Sequence, residues 1–423
     1  MSQIAKVTAR RILDSRGNPT IEVDVLTTAG IIGRASVASG IVPLKYEAAE
    51  LRDNDPLKYF GKDVSRAVAN INKIIDEKLQ GIYVGEQSYI DSLMISLDGT
   101  PDKSHLGANS LLAVSLAVAK AAALSTGMPL HRYIGGINAN VLPVPMMNIL
   151  NGGKHADNSL DFQEFMILPF GATSFGEALR MGVEIYYHLK SELKSAGHSI
   201  NVGDEGGFAP NLKNNEEAVE FLIKSIEKAG LKPGNDIMIA IDAAADSLFN
   251  EKTKKYHLSS VKNELNSKQM IDYWQKFLET YPVSSIEDPF HSNDWEAWTE
   301  LNQSLGDKIQ IVGDELYVTN PERLILGIEK AAANSIIIKP NQIGTLTETI
   351  NTVFLAKKYG YNTIISHRSG ETEDTSIAEL AVALNTGLIK TGSPTRGERT
   401  AKYNQLLRIE ESLGNQARFG MGM

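Results

Sequence analysis

The chain has 423 residues, a formal net charge of −9, 42% hydrophobic and 22% charged residues, and no cysteine. That length fits two or three domains, or one small domain with a large barrel, and the composition is that of a globular protein with real cores. The acidic balance argues against a general nucleic-acid binder, which carries a basic footprint, and the missing cysteine excludes disulfides, thiolate zinc sites and a cysteine nucleophile.

Residues 1–6 lack the basic-then-apolar pattern of a secretory leader. The most apolar stretch, 111–124, is broken by Ser115 and Lys120; it is too short and polar to span a bilayer and reads as a buried helix. The expectation is a cytoplasmic protein with no membrane or nucleic-acid partner. Residues 4–12 and 20–27 alternate apolar and polar around the turn residues Gly17-Asn18-Pro19, which predicts an antiparallel meander. Helical periodicity follows at 60–80, 86–96 and 108–125, giving a small α+β domain over 1–135.

From 136 onward short β-branched runs alternate with helical segments. The later runs, at 237–241, 283–286, 309–312, 335–338, 363–365 and 387–389, are almost continuously apolar, as parallel strands buried on both faces should be. Each is followed by an ionisable residue: Asp242, Glu287, Asp314, Lys339, His367 and Lys390. From Glu287 on, these are spaced 27, 25, 28 and 23 residues apart, close to the roughly 25–30 residues of one strand–helix unit in a (β/α)8 barrel. The gap of 45 from Asp242 to Glu287 predicts an inserted segment around 251–261. Since barrel active sites sit at the C-terminal ends of the strands, all six groups should share one mouth. One acid at a strand end is commonly a helix cap, but six ionisable groups in register point to chemistry.

Asp242, Glu287 and Asp314 offer hard oxygen ligands without a ligating His pair, which suits Mg²⁺ or Mn²⁺ better than Zn²⁺. Lys339 could act as a base if nearby positive charge or burial lowers its pKa, although either lysine could equally pair with a carboxylate. The loop Gly203-Asp204-Glu205-Gly206-Gly207 lets backbone approach a ligand, and Glu205 could be a general acid if burial raises its pKa; read alone it is an acidic turn. A second glycine-rich segment carries Lys154 and His155, shortly before Gln163 and Glu164, and His155 could close over a substrate. Arg368 and Ser369, at a glycine turn, suit a phosphate.

Together these segments resemble enolase over essentially the whole chain. The resemblance is carried by Leu13-Asp14-Ser15-Arg16-Gly17-Asn18-Pro19-Thr20, Glu50-Leu51-Arg52-Asp53, Gly203-Asp204-Glu205-Gly206-Gly207, Ser285-Ile286-Glu287-Asp288-Pro289, Asn341-Gln342-Ile343-Gly344-Thr345-Leu346, the run 366–375 from Ser366-His367-Arg368-Ser369, and Ala401-Lys402-Tyr403-Asn404-Gln405. It implies an α+β cap and a modified barrel of the enolase superfamily, working as a homodimer or an assembly of dimers. The reaction it implies is conversion of 2-phosphoglycerate, a small phosphorylated anion, to phosphoenolpyruvate with two Mg²⁺. By that resemblance Asp242, Glu287 and Asp314 hold the first metal. Lys339 takes the C2 proton, and Glu205, with Glu164 beside it, protonates the leaving hydroxyl. His155, Gln163 and His367 line the site, Arg368 and Ser369 hold the phosphate, and Lys390 the substrate carboxylate. A Lys base with Mg²⁺ is the general pattern of enolase-superfamily sites.

The sequence departs from that family in its lid. Where enolases read Ser-Gly-Ala-Ser-Thr-Gly, this chain reads Ser39-Gly40-Ile41-Val42-Pro43-Leu44-Lys45, so Val42 replaces the serine that chelates the second magnesium. Pro43 stiffens the loop. Lys154 replaces a small residue, Ser247 a glutamate and Glu315 an aspartate, the first two expected near the mouth. The departures leave a second expectation open: a paralogue that keeps the deprotonation machinery for a different or larger anion, as in the enolase-like carboxyphosphonoenolpyruvate synthases. A non-catalytic binding protein is a third.

Overall fold

The computed structural model describes residues 2–40, 44–259, 261 and 264–420. The predicted meander is present: β1 (Ile4–Leu13), β2 (Pro19–Thr27) and β3 (Ile32–Ser36) pair antiparallel in the order β1-β2-β3. Its first turn closes on Asp14, whose Oδ1 accepts from the backbone N–H of Arg16 and Asn18, with Gly17 at φ +75°. Alternation places Val23, Val25 and Ala35 inward, against the helix Ala108–Ser125. That helix is 83% buried in the domain core, as its apolar run predicts. β3 approaches it closely because Gly33 has no side chain; a Cβ there would lie 2.2 Å from Ala117 O.

The helical pattern at 60–80 starts later than its periodicity suggests. Tyr59 and Phe60 have φ of +48° and +54°, so the chain turns there, and the helix begins at Ser65 and passes through a π turn at Ile71–Ile75.

The second half is a closed eight-stranded barrel. In chain order its strands are β4 (Val144–Asn151), β5 (Glu164–Leu168), β6 (Met238–Asp242), β7 (Val283–Glu287), β8 (Gln310–Gly313), β9 (Ser335–Ile338), β10 (Asn362–Ser366) and β11 (Gly387–Lys390), and β11 pairs with β4 to close the ring. All neighbours run parallel except β5, which is antiparallel to both β4 and β6. The connection 152–163 contains no α-helix, and a parallel crossover needs a dozen or more residues, usually helical, so β5 returns against β4. Two helices, Phe175–Ser195 and Asn215–Lys228, then lead to β6; the later connections carry one helix each, except that between β9 and β10, where the short Pro340–Ile343 precedes Leu346–Lys358. The inserted segment appears as the hairpin Phe249–Asn250 with Lys255–Tyr256.

Val144, Met146, Met166, Leu168, Ala240, Val312, Ile337, Ile364 and Leu388 fill the barrel's interior, and a larger apolar shell lies between strands and helices. The N-terminal domain caps the rim. Ser39 N–H donates to Gly370 O at 2.7 Å, Lys120 Nζ lies 2.6 Å from Asp374, and Lys103 Nζ lies 2.9 Å from Glu348.

Candidate active site

Strand register gathers the site. Asn151 pairs with Glu164, Glu164 with Asp242, and Asp242 with Glu287, so one row of the sheet crosses four strands at the rim. Glu164 stands at the start of its strand, yet on this rim, because β5 is reversed. Asp314, Lys339 and His367 directly follow β8, β9 and β10, while Lys390 ends β11 opposite Ser366. Acids thus occupy one arc, β5 to β8, and the cations Lys339, Arg368 and Lys390 the next, β9 to β11.

These groups line a cavity of about 290 Å³. Every residue expected to catalyse, bind substrate or hold metal contributes to its wall except Glu287, which lies behind it against Lys390. Arg368 points its guanidinium at Glu47 of the cap domain, and Gln163 Nε2 donates to Asp242 Oδ2 at 3.3 Å. Lys154 and Leu44 also face the cavity. Ser247 does not, contrary to the sequence reading: it is exposed and donates to Ala244 O, and Asp246 of the same short turn faces the cavity instead. Val42, with Ile41 and Pro43, lies outside the described residues.

The wholly buried Lys390 ammonium lies 2.8 Å from Glu287 Oε2 and 3.1 Å from both Asp242 Oδ2 and Glu164 Oε2. Lys339 donates to Asp314. Burial, the largest single influence, pushes its pKa down, but the surrounding acids, Asp314 first and then Glu287, together hold it above the usual lysine value. The expected lowering is therefore absent while Asp314 is its partner. Glu287 is pushed up to about 8, first by burial and then by the charge of Asp242.

The two glutamates divide in a way the sequence did not suggest. Burial, and then Glu205, push Glu164 well above the carboxylate range. Burial acts the same way on Glu205, but the facing rings of His367 and His155 and the nearby Arg399 outweigh it, leaving Glu205 well below that range. Asn148 Nδ2 also donates to Glu205 Oε2 at 3.0 Å. Glu164 is thus the member of the pair pushed towards holding a proton and Glu205 the one pushed towards losing it, whereas the sequence reading made Glu205 a general acid only if burial raised its pKa.

Burial pushes His367 down to about 4, with Arg399 helping and Glu205 opposing. The unfolded chain takes up this proton near pH 6.5 and the folded one only near 4, so between those values the unfolded state binds more protons and stability falls as pH falls. The loss should be on the order of 2–4 kcal/mol. His367→Gln should flatten the stability profile between pH 6.5 and 4 in urea-unfolding series; an unchanged slope would contradict the assignment.

Two groups of side chains suit a cation. Asp242, Glu287 and Asp314 form an oxygen-only set, and Glu287 Oε1 is buried without a hydrogen-bond partner. After burial, the charge of Asp242 helps raise Glu287, and a divalent cation would relieve that repulsion, so these residues fit one. His155, Glu164 and Glu205 also bring ligand atoms within 4.8 Å of one another and could hold a metal ion. Their opposed proton affinities suit acid–base work as well. Sequence reasoning missed Asp246, Gln342, Asn148 and Arg399; of these only Asp246, four residues beyond Asp242, and Gln342, three beyond Lys339, stood close enough to a strand end to be suspected.

Residues 4–134 match the sequence model described as the enolase N-terminal domain, and residues 139–422 match the enolase C-terminal TIM barrel domain. With this coverage, and a closed barrel carrying the expected side chains at one rim, the chain belongs to the enolase family and is a lyase of that family.

Proposed function

We propose that this chain is a phosphopyruvate hydratase that dehydrates 2-phosphoglycerate to phosphoenolpyruvate. The observation that supports this most is the placement in one cavity of Lys339, just after β9, and of Glu164 on β5, strands that face each other across the ring, with Glu205 of the 203–207 loop beside Glu164. Lys339 Nζ removes the C2 proton from one side. The electron pair moves onto the carboxylate, then returns to form the C2–C3 double bond as the C3 hydroxyl leaves. The glutamate pair supplies the proton that makes this leaving group water, by transfer from Glu164 through Glu205. Mg²⁺ held by Asp242, Glu287 and Asp314 would stabilise the charge that develops on the substrate carboxylate. Lys390 adds positive charge at the same end, and Arg368 with Ser369 binds the phosphate. Lys339 can act as a base only once Asp314 no longer pairs with it, so substrate turnover and occupation of the acid cluster are coupled. The same reading makes the chain a cytoplasmic enzyme of glycolysis and gluconeogenesis, acting as a dimer or an assembly of dimers.

A second reading, a paralogue for a larger anion, is supported by Lys154 and Leu44 in the cavity wall. The test is the steady-state rate of phosphoenolpyruvate formation across a Mg²⁺ titration. A turnover in the common range of about 1–10³ s⁻¹ supports the hydratase. A near-zero rate in protein that binds Mg²⁺ by calorimetry rejects it in favour of the second reading.

A further inference from the structure

Arg399 is wholly buried at the start of the helix Gly397–Leu413 and makes no direct contribution to the cavity wall. Its guanidinium faces the back of the site. Nη1 lies 2.6 Å from His367 Nδ1 and donates to Arg368 O at 2.7 Å. Nη2 donates to Ser369 O at 2.7 Å and to Asp204 O at 3.3 Å. One side chain therefore ties the loop after β10, which carries the phosphate-binding pair, to the loop that carries Glu205.

The contact with His367 has a chemical consequence. Arginine has donors and no acceptor and stays charged. Its N–H can meet Nδ1 only if that nitrogen presents a lone pair, so the neutral ring must carry its proton on Nε2. His367 Nε2 lies 3.3 Å from Glu205 Oε2, so the proton faces the carboxylate. We propose that Arg399 is a positioning residue that sets the tautomer of His367 and thereby makes this imidazole a donor to Glu205. It rests on the reading of Glu205 as a proton carrier in the reaction above. The opposite tautomer would turn a lone pair towards Glu205 and leave two acceptors facing each other in a buried site. Gly392 supports the arrangement sterically, since a Cβ there would come within 2.9 Å of Arg399 Cδ.

The experiment has two arms. In ¹⁵N-histidine-labelled protein, with His367→Gln used to assign the signal, the His367 ring should show an unprotonated Nδ1 and a protonated Nε2 at pH 7; Arg399→Lys, which keeps a donor, should preserve this, and Arg399→Met should lose it. A protonated Nδ1 in the wild type overturns the proposal whatever the enzyme's substrate, so failure here is separate from failure of the hydratase assignment. In the second arm Arg399→Met lowers kcat about 10–100-fold, the usual cost of losing the partner that orients a functional histidine, with KM little changed. Glutamine at 367 can donate from a similar position without a tautomer to set, so in the His367→Gln background Arg399→Met should cost less than about threefold, a coupling that a double-mutant cycle isolates. Equal losses in both backgrounds mean that Arg399 acts by packing alone and overturn the proposal. If Arg399→Met does not fold, the wild-type and Arg399→Lys spectra still decide.

Discussion

Lys390→Met should destabilise the metal-free protein by about 3–5 kcal/mol, the usual cost of removing one partner from a buried ion pair. Methionine matches lysine closely in length, so packing changes little. What is lost is the ammonium between Glu164, Asp242 and Glu287, all buried and within 3.1 Å of it. With the lysine present Glu287 already titrates near 8; without it the carboxyl should hold its proton more tightly still. A carboxyl raised in the folded state favours folding below its unfolded pKa and loses that contribution as pH rises through the folded value. The deficit should therefore shrink towards pH 5, where Glu164 and Glu287 hold their protons, and grow towards pH 8.5. Saturating Mg²⁺ should also reduce it. Urea unfolding with and without Mg²⁺ at the two pH values measures all three effects, and a deficit independent of both would show that Lys390 is not the counter-ion of this cluster.

Lys339→Ala should lower turnover of 2-phosphoglycerate by about 10³-fold or more, towards the upper part of the range for a general base, with little change in KM. It should also abolish exchange of the substrate's C2 proton with solvent in D₂O, which reports the deprotonation step separately from loss of the hydroxyl. Since Asp314 then loses its lysine partner, Mg²⁺ affinity by calorimetry should hold or rise. Retained C2 exchange in the variant would assign the base elsewhere; lost affinity would show that the lysine organises the acid cluster.

How much of this was legible in the sequence depended on what each residue's role rests on. Buried parallel strands must be apolar along their whole length, so β6 to β11 could be read within a residue or two, and the groups that end them followed. β5 was harder, because nothing in residues 164–168 signals direction; only the short link from β4 forces the reversal that brings Glu164 to the rim. The family resemblance supplied His155, Gln163 and Glu205 as site residues, and the structure puts all three at the cavity. Proton affinities were not legible. They depend on which charges face each other after folding, and so Lys339 is held up by Asp314 and the raised glutamate is Glu164. Ser247 and Asp246 are adjacent in sequence and exchange roles because the short turn after β6 directs one outward and the other in. Arg399 sits in a polar helix start, where arginine is ordinarily solvated, and only its complete burial marks it out.

The division of the rim into an acidic arc and a cationic arc gives the mouth a lateral electric field. Charged residues on low-dielectric walls focus such a field. A substrate with a phosphate at one end would be turned before it touches any side chain, its anionic end drawn towards Lys339 and Arg368 after β9 and β10, since the Lys390 charge lies among the acids. The barrel therefore selects an orientation during approach, and raising the ionic strength should slow capture by screening that field while leaving the bound geometry, which contacts set, unchanged.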